Sequence, residues 1–215
     1  MPHEPRYIAV EGPIGVGKSS LARKLAETFK ARLILEEAYE NPFLPEFYKD
    51  RARNALKTQI YFLLSRYQQQ KELAQQDLFN QITVCDYLFS KDRIFATVNL
   101  SRDEQLLYEK IYRLLDGSLP RPDLVVYLQS EVGVLIKNIK KRAIPFEKSI
   151  DTPYLEELAE AYNQYFFSYT ETPLLVVNCT KIDFVKNEVD YQNLVKEILS
   201  TKRGQKNFVA LGGSR

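Results

Sequence analysis

The run GPIGVGKSS at positions 12–20 follows directly on a short apolar segment, YIAVE, and leads into a helix-forming stretch, LARKLAETF. It fits the pattern G-x-x-x-x-G-K-[ST] with strand before and helix after. No other stretch of the chain constrains the fold as tightly. Its glycines permit backbone angles that a side chain forbids and let amides approach a phosphate closely. Those amides, with the helix N-terminus, make an anion cradle. Gly12, Pro13, Ile14, Gly15, Val16, Gly17, Lys18, Ser19 and Ser20 are therefore the candidate nucleotide-binding residues. Lys18 would reach the β- and γ-phosphates, and the Ser19 hydroxyl would bind Mg²⁺. ATP and Mg²⁺ are the expected ligands. Such loops serve kinases, GTPases and motors alike, so the loop leaves the acceptor unnamed.

Four more apolar runs, 32–36, 81–85, 123–128 and 174–178, join 7–11 as candidate strands. Their unbroken apolar character suits a parallel sheet buried on both faces. Helical spacing recurs at 18–29, 46–76, 88–98, 102–116, 131–141, 153–170 and 188–200. Alternating strands and helices predict an α/β protein: a five-stranded parallel sheet with helices on both faces. Residues 1–201 read as one domain, and 202–215, basic and then Gly-rich, as a flexible tail.

Composition sets bounds. With 215 residues and a net charge of +2, the chain suits one core and carries no general pull toward nucleic acid or membrane. No run approaches a membrane span and no signal core opens the chain, so a cytoplasmic protein is expected. Cys85 and Cys179 lie at apolar runs and read as buried free thiols. The sole histidine, His3, sits near the N-terminus, which argues against a catalytic histidine.

Three clusters bear on the acceptor. In LILEEAYENPFLPEFY, 33–48, Glu36 and Glu37 fall at a strand end, where parallel sheets bind ligands. They could take a proton from an attacking hydroxyl, or be an exposed pair. Tyr48, Gln59 and Arg66 are spaced to share one stripe of the 46–76 helix, facing a ligand or facing solvent. In VCDYLFSKDRIFA, 84–96, Asp86 ends a strand where a second Mg²⁺ carboxylate is needed, although a helix N-cap explains it equally. The basic KNIKKR, 137–142, reads as a lid or as a solvated helix end.

Together with RPDLVVYL and IKKRAIPFE followed by YLEEL, these pieces resemble the deoxynucleoside kinase family, which contains deoxycytidine, deoxyguanosine and bacterial deoxyadenosine kinases. The resemblance runs from residue 6 to about 200. It implies a P-loop kinase fold with a basic lid at about 138–151, and ATP-dependent phosphorylation of a deoxynucleoside 5′-hydroxyl. It makes Glu37 the general base, with Lys18 and Arg142 stabilising the transferring phosphoryl group. It assigns Tyr48 and Glu147 to the 3′-hydroxyl, Gln59, Asp92 and neighbouring Arg66 to the base, and Asp86 with Ser19 to Mg²⁺. A purine base is favoured. A homodimer is expected, with the aromatic helix 153–170 as one candidate face.

Two positions depart from the family pattern. Tyr87 stands where an arginine is usual, with Lys91 or Arg93 as candidate replacements, and Ile144 replaces a second lid arginine. The rival readings are a thymidylate-like monophosphate kinase and a nucleotide-binding switch without phosphotransfer. A nucleic-acid role would rest on the basic tail alone and is not expected.

Overall fold

The computed structural model describes residues 5–75 and 82–209. The elements run β1 (Tyr7–Glu11), α1 (Lys18–Phe29), β2 (Arg32–Ile34), α2 (Leu44–Lys49), α3 (Arg51–Gln75), β3 (Thr83–Cys85), α4 (Lys91–Asn99), α5 (Arg102–Asp116), β4 (Leu124–Gln129), α6 (Val132–Arg142), α7 (Thr152–Phe167), β5 (Leu174–Asn178), α8 (Glu188–Ser200) and β6 (Gln205–Val209). His3, residues 76 and 81, and the tail beyond 209 lie outside the described residues.

The sheet is parallel throughout, in the order β2-β3-β1-β4-β5-β6. It has six strands where five were expected. The sixth comes from the supposed flexible tail: Gln205–Val209 pairs with all of β5. Phe208 packs on the core and Lys206 pairs with Glu197 at 2.5 Å, so this part of the tail is docked.

Alternation along the strands divides the core in two. Ile8 and Val10 of β1 face α1 and α8, while Ala9 faces α4 and α7. Helices thus cover both faces, as the apolar runs implied. Cys85 and Cys179 are buried and unpaired. No helix among the described residues is long and apolar enough to cross a membrane.

The expected 46–76 helix is two helices. Asp50 leaves helical geometry (φ −144, ψ 90), and its carboxylate accepts the Arg53 amide at 3.2 Å, starting α3 anew. Asn54 fastens the corner by donating to the carbonyls of Glu46 and Asp50. Tyr48 therefore sits on α2, not in one stripe with Gln59 and Arg66 on α3. β2 also stops at Ile34, which leaves Glu36 and Glu37 in the loop beyond it.

Candidate active site

The loop after β1 lies at the carboxyl edge of the sheet, between the paths of β3 and β4, where open α/β sheets bind ligands. Gly15 has φ +85, and a Cβ there would stand 2.7 Å from the Leu135 carbonyl and 2.9 Å from Ile139. Glycine thus lets α6 lie against the loop. Asn138 completes that contact by donating to Gly15 O at 2.9 Å. Lys18 Nζ rests on the loop's own carbonyls, Gly12 O at 2.7 Å and Pro13 O at 3.0 Å. Burial, and then the ammonium of Lys91, push its pKa down to about 8.

A half-buried carboxylate faces this loop, and it is Glu36. Its Oε1 accepts from Arg66 Nε at 2.8 Å and from Arg66 Nη2, and its Oε2 accepts from Lys91 Nζ at 2.7 Å. Burial alone would raise its pKa, but Arg66 and Lys91 hold it well below the usual carboxylate range. The Glu36 amide donates to Asp86 Oδ1 at 2.7 Å, and Ser19 Oγ donates to Asp86 Oδ2 at 2.5 Å. Asp86 thus ties the loop after β2 to the P-loop.

Arg66 links this centre to a second group of buried polar side chains. Its Nη1 lies 2.5 Å from Asp92 Oδ1, close enough for an ion pair but out of line for a hydrogen bond. Burial, opposed in part by Arg66, raises Asp92 to about 6. Gln59 Oε1, both Asp92 oxygens and the Tyr108 hydroxyl are buried without hydrogen-bond partners within the protein. Unsatisfied buried groups of this kind are costly unless a ligand completes them.

At the other wall, Tyr48 stacks on Phe146 with ring centroids 6.0 Å apart. Arg142 closes α6 and grips Glu147 with two bonds, 3.1 Å and 2.5 Å. The structure therefore links Ser19, Asp86, Glu36, Arg66 and Asp92 in one network with Lys18 close by, places Tyr48, Arg142 and Glu147 together beside it, and sets Gln59 two turns before Arg66 on α3. Arg142 is turned to Glu147 rather than to the P-loop.

Glu37 is the expected residue that stays out. It is exposed and only begins the single 3-10 turn 38–40, while its neighbour occupies the centre. Tyr87 also turns away, bonding Gln69 at 2.8 Å inside a cluster with Tyr7, Leu73 and Cys85. Arg93 reaches outward to Glu109. Sequence reasoning missed Glu11, which is fully buried: it accepts from the Gly12 amide, the Leu88 amide and the Tyr162 hydroxyl, joining P-loop, β3 loop and α7. Its place as the last residue of an apolar strand was the available signal.

The Ser19–Asp86 pair tests the expected metal. Two hard oxygens beside the phosphate cradle suit Mg²⁺. No group of three or more His, Cys, Asp or Glu side chains among the described residues is arranged as a metal cage. That fits an ion whose remaining ligands are phosphate oxygens and water.

A parallel sheet with a phosphate cradle after its first strand, a half-buried carboxylate facing that cradle and a basic helix above it define a P-loop phosphotransferase. Comparison with known proteins narrows the class. The model of the family described as deoxynucleoside kinase matches residues 8–202. A deoxyguanosine kinase of Bacillus subtilis is 36% identical over 201 residues, covering 90% of this chain and 97% of that one. A deoxyadenosine kinase of Lactobacillus acidophilus is 31% identical, covering 90% and 94%. The structure of deoxyadenosine kinase from M. mycoides with bound dATP superposes with a TM-score of 0.79 at 25% identity, covering 92% and 100%. The chain belongs to the deoxynucleoside kinase family, and it is a kinase that transfers a phosphoryl group to deoxynucleosides.

Proposed function

We propose that the acceptor is a purine deoxynucleoside, that the donor is Mg·ATP, and that Glu36, not Glu37, is the general base. The observation that carries this reading is the position of Glu36. It is bracketed by Lys18, Ser19 and Asp86 on the phosphate side and by Arg66 and Asp92 on the other, with Gln59 two turns before Arg66 on α3. A deoxynucleoside spanning that distance puts its 5′-hydroxyl at the carboxylate and its base among the unsatisfied groups. Gln59 offers a donor and an acceptor, Asp92 an acceptor that becomes a donor near pH 6, and Arg66 a donor. Such a set suits a purine edge, and the deoxyguanosine and deoxyadenosine kinases among the relatives support it.

The 5′-oxygen attacks the γ-phosphorus, the bond from phosphorus to the β,γ-bridging oxygen breaks, and ADP leaves with that electron pair. The hydroxyl proton passes to Glu36. A carboxylate held so strongly acidic is a weak base toward a free alcohol, so transfer comes late, once the forming P–O bond has acidified the hydroxyl. Lys18 stabilises charge on the phosphate oxygens. Mg²⁺, held by Ser19 and Asp86, would neutralise β- and γ-phosphate charge when bound. The 3′-hydroxyl, bonded by Tyr48 and Glu147, takes the oxygens that Arg142 now occupies and frees its guanidinium for the phosphate.

The test is ADP release from Mg·ATP with each of the four deoxynucleosides. Stimulation is expected to be strongest with deoxyguanosine or deoxyadenosine. Glu36→Gln should lower kcat about 10²–10⁴-fold, while Glu37→Gln stays within about threefold of wild type. The reverse ranking of the two variants would return the base to Glu37. A preference for thymidine or deoxycytidine would remove the purine assignment.

A further inference from the structure

We propose that Lys91 is a catalytic residue of this kinase: its ammonium group positions the Glu36 carboxylate against the acceptor oxygen and carries charge on the phosphoryl group in transit. The proposal rests on the reading of Glu36 above and deepens it.

Tyr87, Lys91 and Arg93 are the positions after Asp86 from which a side chain could bring a cation to the crevice. Tyr87 does not serve. Its ring is fully buried among Tyr7, Leu73 and Cys85 with the Arg66 guanidinium 6.0 Å from its centre, and its hydroxyl is committed to Gln69 at 2.8 Å. Arg93 does not serve either, being half-exposed and paired with Glu109 at 3.0 Å on the surface. Lys91 opens α4, one helical turn beyond Tyr87 in sequence, and it points inward. Its side chain is 4% exposed, and its Nζ lies 2.7 Å from Glu36 Oε2.

Burying an ammonium group demands compensation. Lys91 has three donor hydrogens, and Glu36 is its single hydrogen-bond partner among the described residues. The ring of Phe95 lies 5.6 Å from Nζ and supplies only a cation–π contact. The remaining hydrogens stay available to a ligand. Lys18 is the second ammonium of the crevice, and the two are near enough for Lys91 to depress the Lys18 pKa. Two like charges this close repel one another. A triphosphate between them relieves that repulsion. The carboxylates Glu11 and Glu36 keep Lys91 charged, more than offsetting the penalty of burial.

In the reaction Lys91 stays protonated throughout. The 5′-oxygen forms its bond to the γ-phosphorus, the bridging bond to ADP breaks, and the proton lost from the hydroxyl goes to Glu36. Lys91 contributes by fixing which Glu36 oxygen faces the hydroxyl and by donating to a phosphoryl oxygen as charge moves across it. It supplies from α4 the charge that Tyr87 cannot.

The test begins with the wild-type enzyme, whose deoxynucleoside-stimulated ADP release establishes the reaction independently of Lys91. Absence of stimulation there would sink the kinase mechanism itself, a different failure. Lys91→Met is expected to lower kcat about 10²–10³-fold, as loss of one transition-state donor does, with deoxynucleoside affinity changed less than about threefold. Lys91→Arg should recover most of that loss. Ethylammonium added to Lys91→Ala should restore turnover saturably, whereas Arg93→Ala and Tyr87→Phe should resemble wild type. If Lys91→Met fails to fold, Lys91→Gln against Lys91→Arg decides the same question. A folded Lys91→Met or Lys91→Gln enzyme that keeps kcat within about tenfold would overturn the proposal. So would a large loss that neither arginine nor ethylammonium relieves.

Discussion

Lys18 shows how far one residue's behaviour departs from its reference chemistry. Free lysine keeps its proton to roughly pH 10.4. Here burial, with Lys91 behind it, brings the group down to about 8. The sign follows directly. Below pH 8 the folded protein carries a disfavoured charge, a cost to stability that fades as pH rises through 8 toward the value of the unfolded chain. A bound triphosphate reverses the balance by restoring a reason to be charged. Binding of Mg·ATP near pH 8.5 should therefore take up about half a proton or more, and almost none at pH 6.5. Isothermal titration in two buffers of different ionisation enthalpy measures this, and Lys18→Met should abolish it. Zero uptake at pH 8.5 would mean that Lys18 is fully charged before the nucleotide arrives. Lys18 was legible because the P-loop motif fixes it by position. Glu36 was not separable from Glu37. The strand that would set their alternation ends at Ile34, and beyond it the amide bond from Glu36 to Asp86 and the donors Arg66 and Lys91, all distant in sequence, decide which side chain turns inward. Lys91 was legible only as a candidate, since a sequence does not say which way the first residue of a short helix points.

At the scale of elements, the apolar strands were readable because a parallel sheet buried on both faces writes itself as unbroken valine, isoleucine and leucine. β6 breaks that rule. Its sequence, QKNFV, is mostly exposed, because it is an edge strand with one face half-covered by Phe208 packing. An edge strand made of polar residues leaves no apolar run to find, and its lysine guards against sheet-to-sheet association. The split between α2 and α3 was equally hidden, since the helical spacing continues across Asp50 and the break comes from capping. β6 lies beyond residue 202, where the family match ends. Its removal should therefore cost stability and leave chemistry intact. Deleting 203–215 strips the pairing with β5, the Phe208 contact and the Lys206–Glu197 ion pair. We expect roughly 2 kcal/mol of destabilisation, seen as a fall in Tm of roughly 4–8 °C, with kcat within about twofold. An unchanged Tm would show that the strand is not docked in solution. A collapse of kcat would tie it to the active site.

For the whole molecule, the remaining question is what covers the apolar surface that one chain leaves open. The aromatic helix α7 does not raise it: Tyr154, Tyr162 and Phe166 are core residues, and Phe167 alone among its rings is widely exposed. The open surface lies on α3 and α5. Leu107 and Leu114 stand on one stripe of α5 and are 50% and 83% exposed, and Leu64 on α3 is 49% exposed. Ile60 and Tyr67 of α3 and Ile111 of α5 flank them, half-buried. α3 and α5 pack side by side, so these rows form one two-helix face, too apolar to suit water alone. The homodimer expected from the family resemblance is predicted to use this face rather than α7. A second copy related by a two-fold axis would present the same rows, and four helices would then close a bundle over Leu64, Leu107 and Leu114. The same helices carry Gln59, Arg66 and Tyr108, so the contact would also stiffen the wall of the base site. Replacing Leu107 and Leu114 together by glutamate should convert dimer to monomer in sedimentation equilibrium. Kinetically, deoxynucleoside KM should rise more than ATP KM, because α3 carries Gln59 and Arg66 of the proposed base site. A wild-type chain that sediments as a monomer at micromolar concentration would remove this assignment. A double variant that stays dimeric would move the interface to another face.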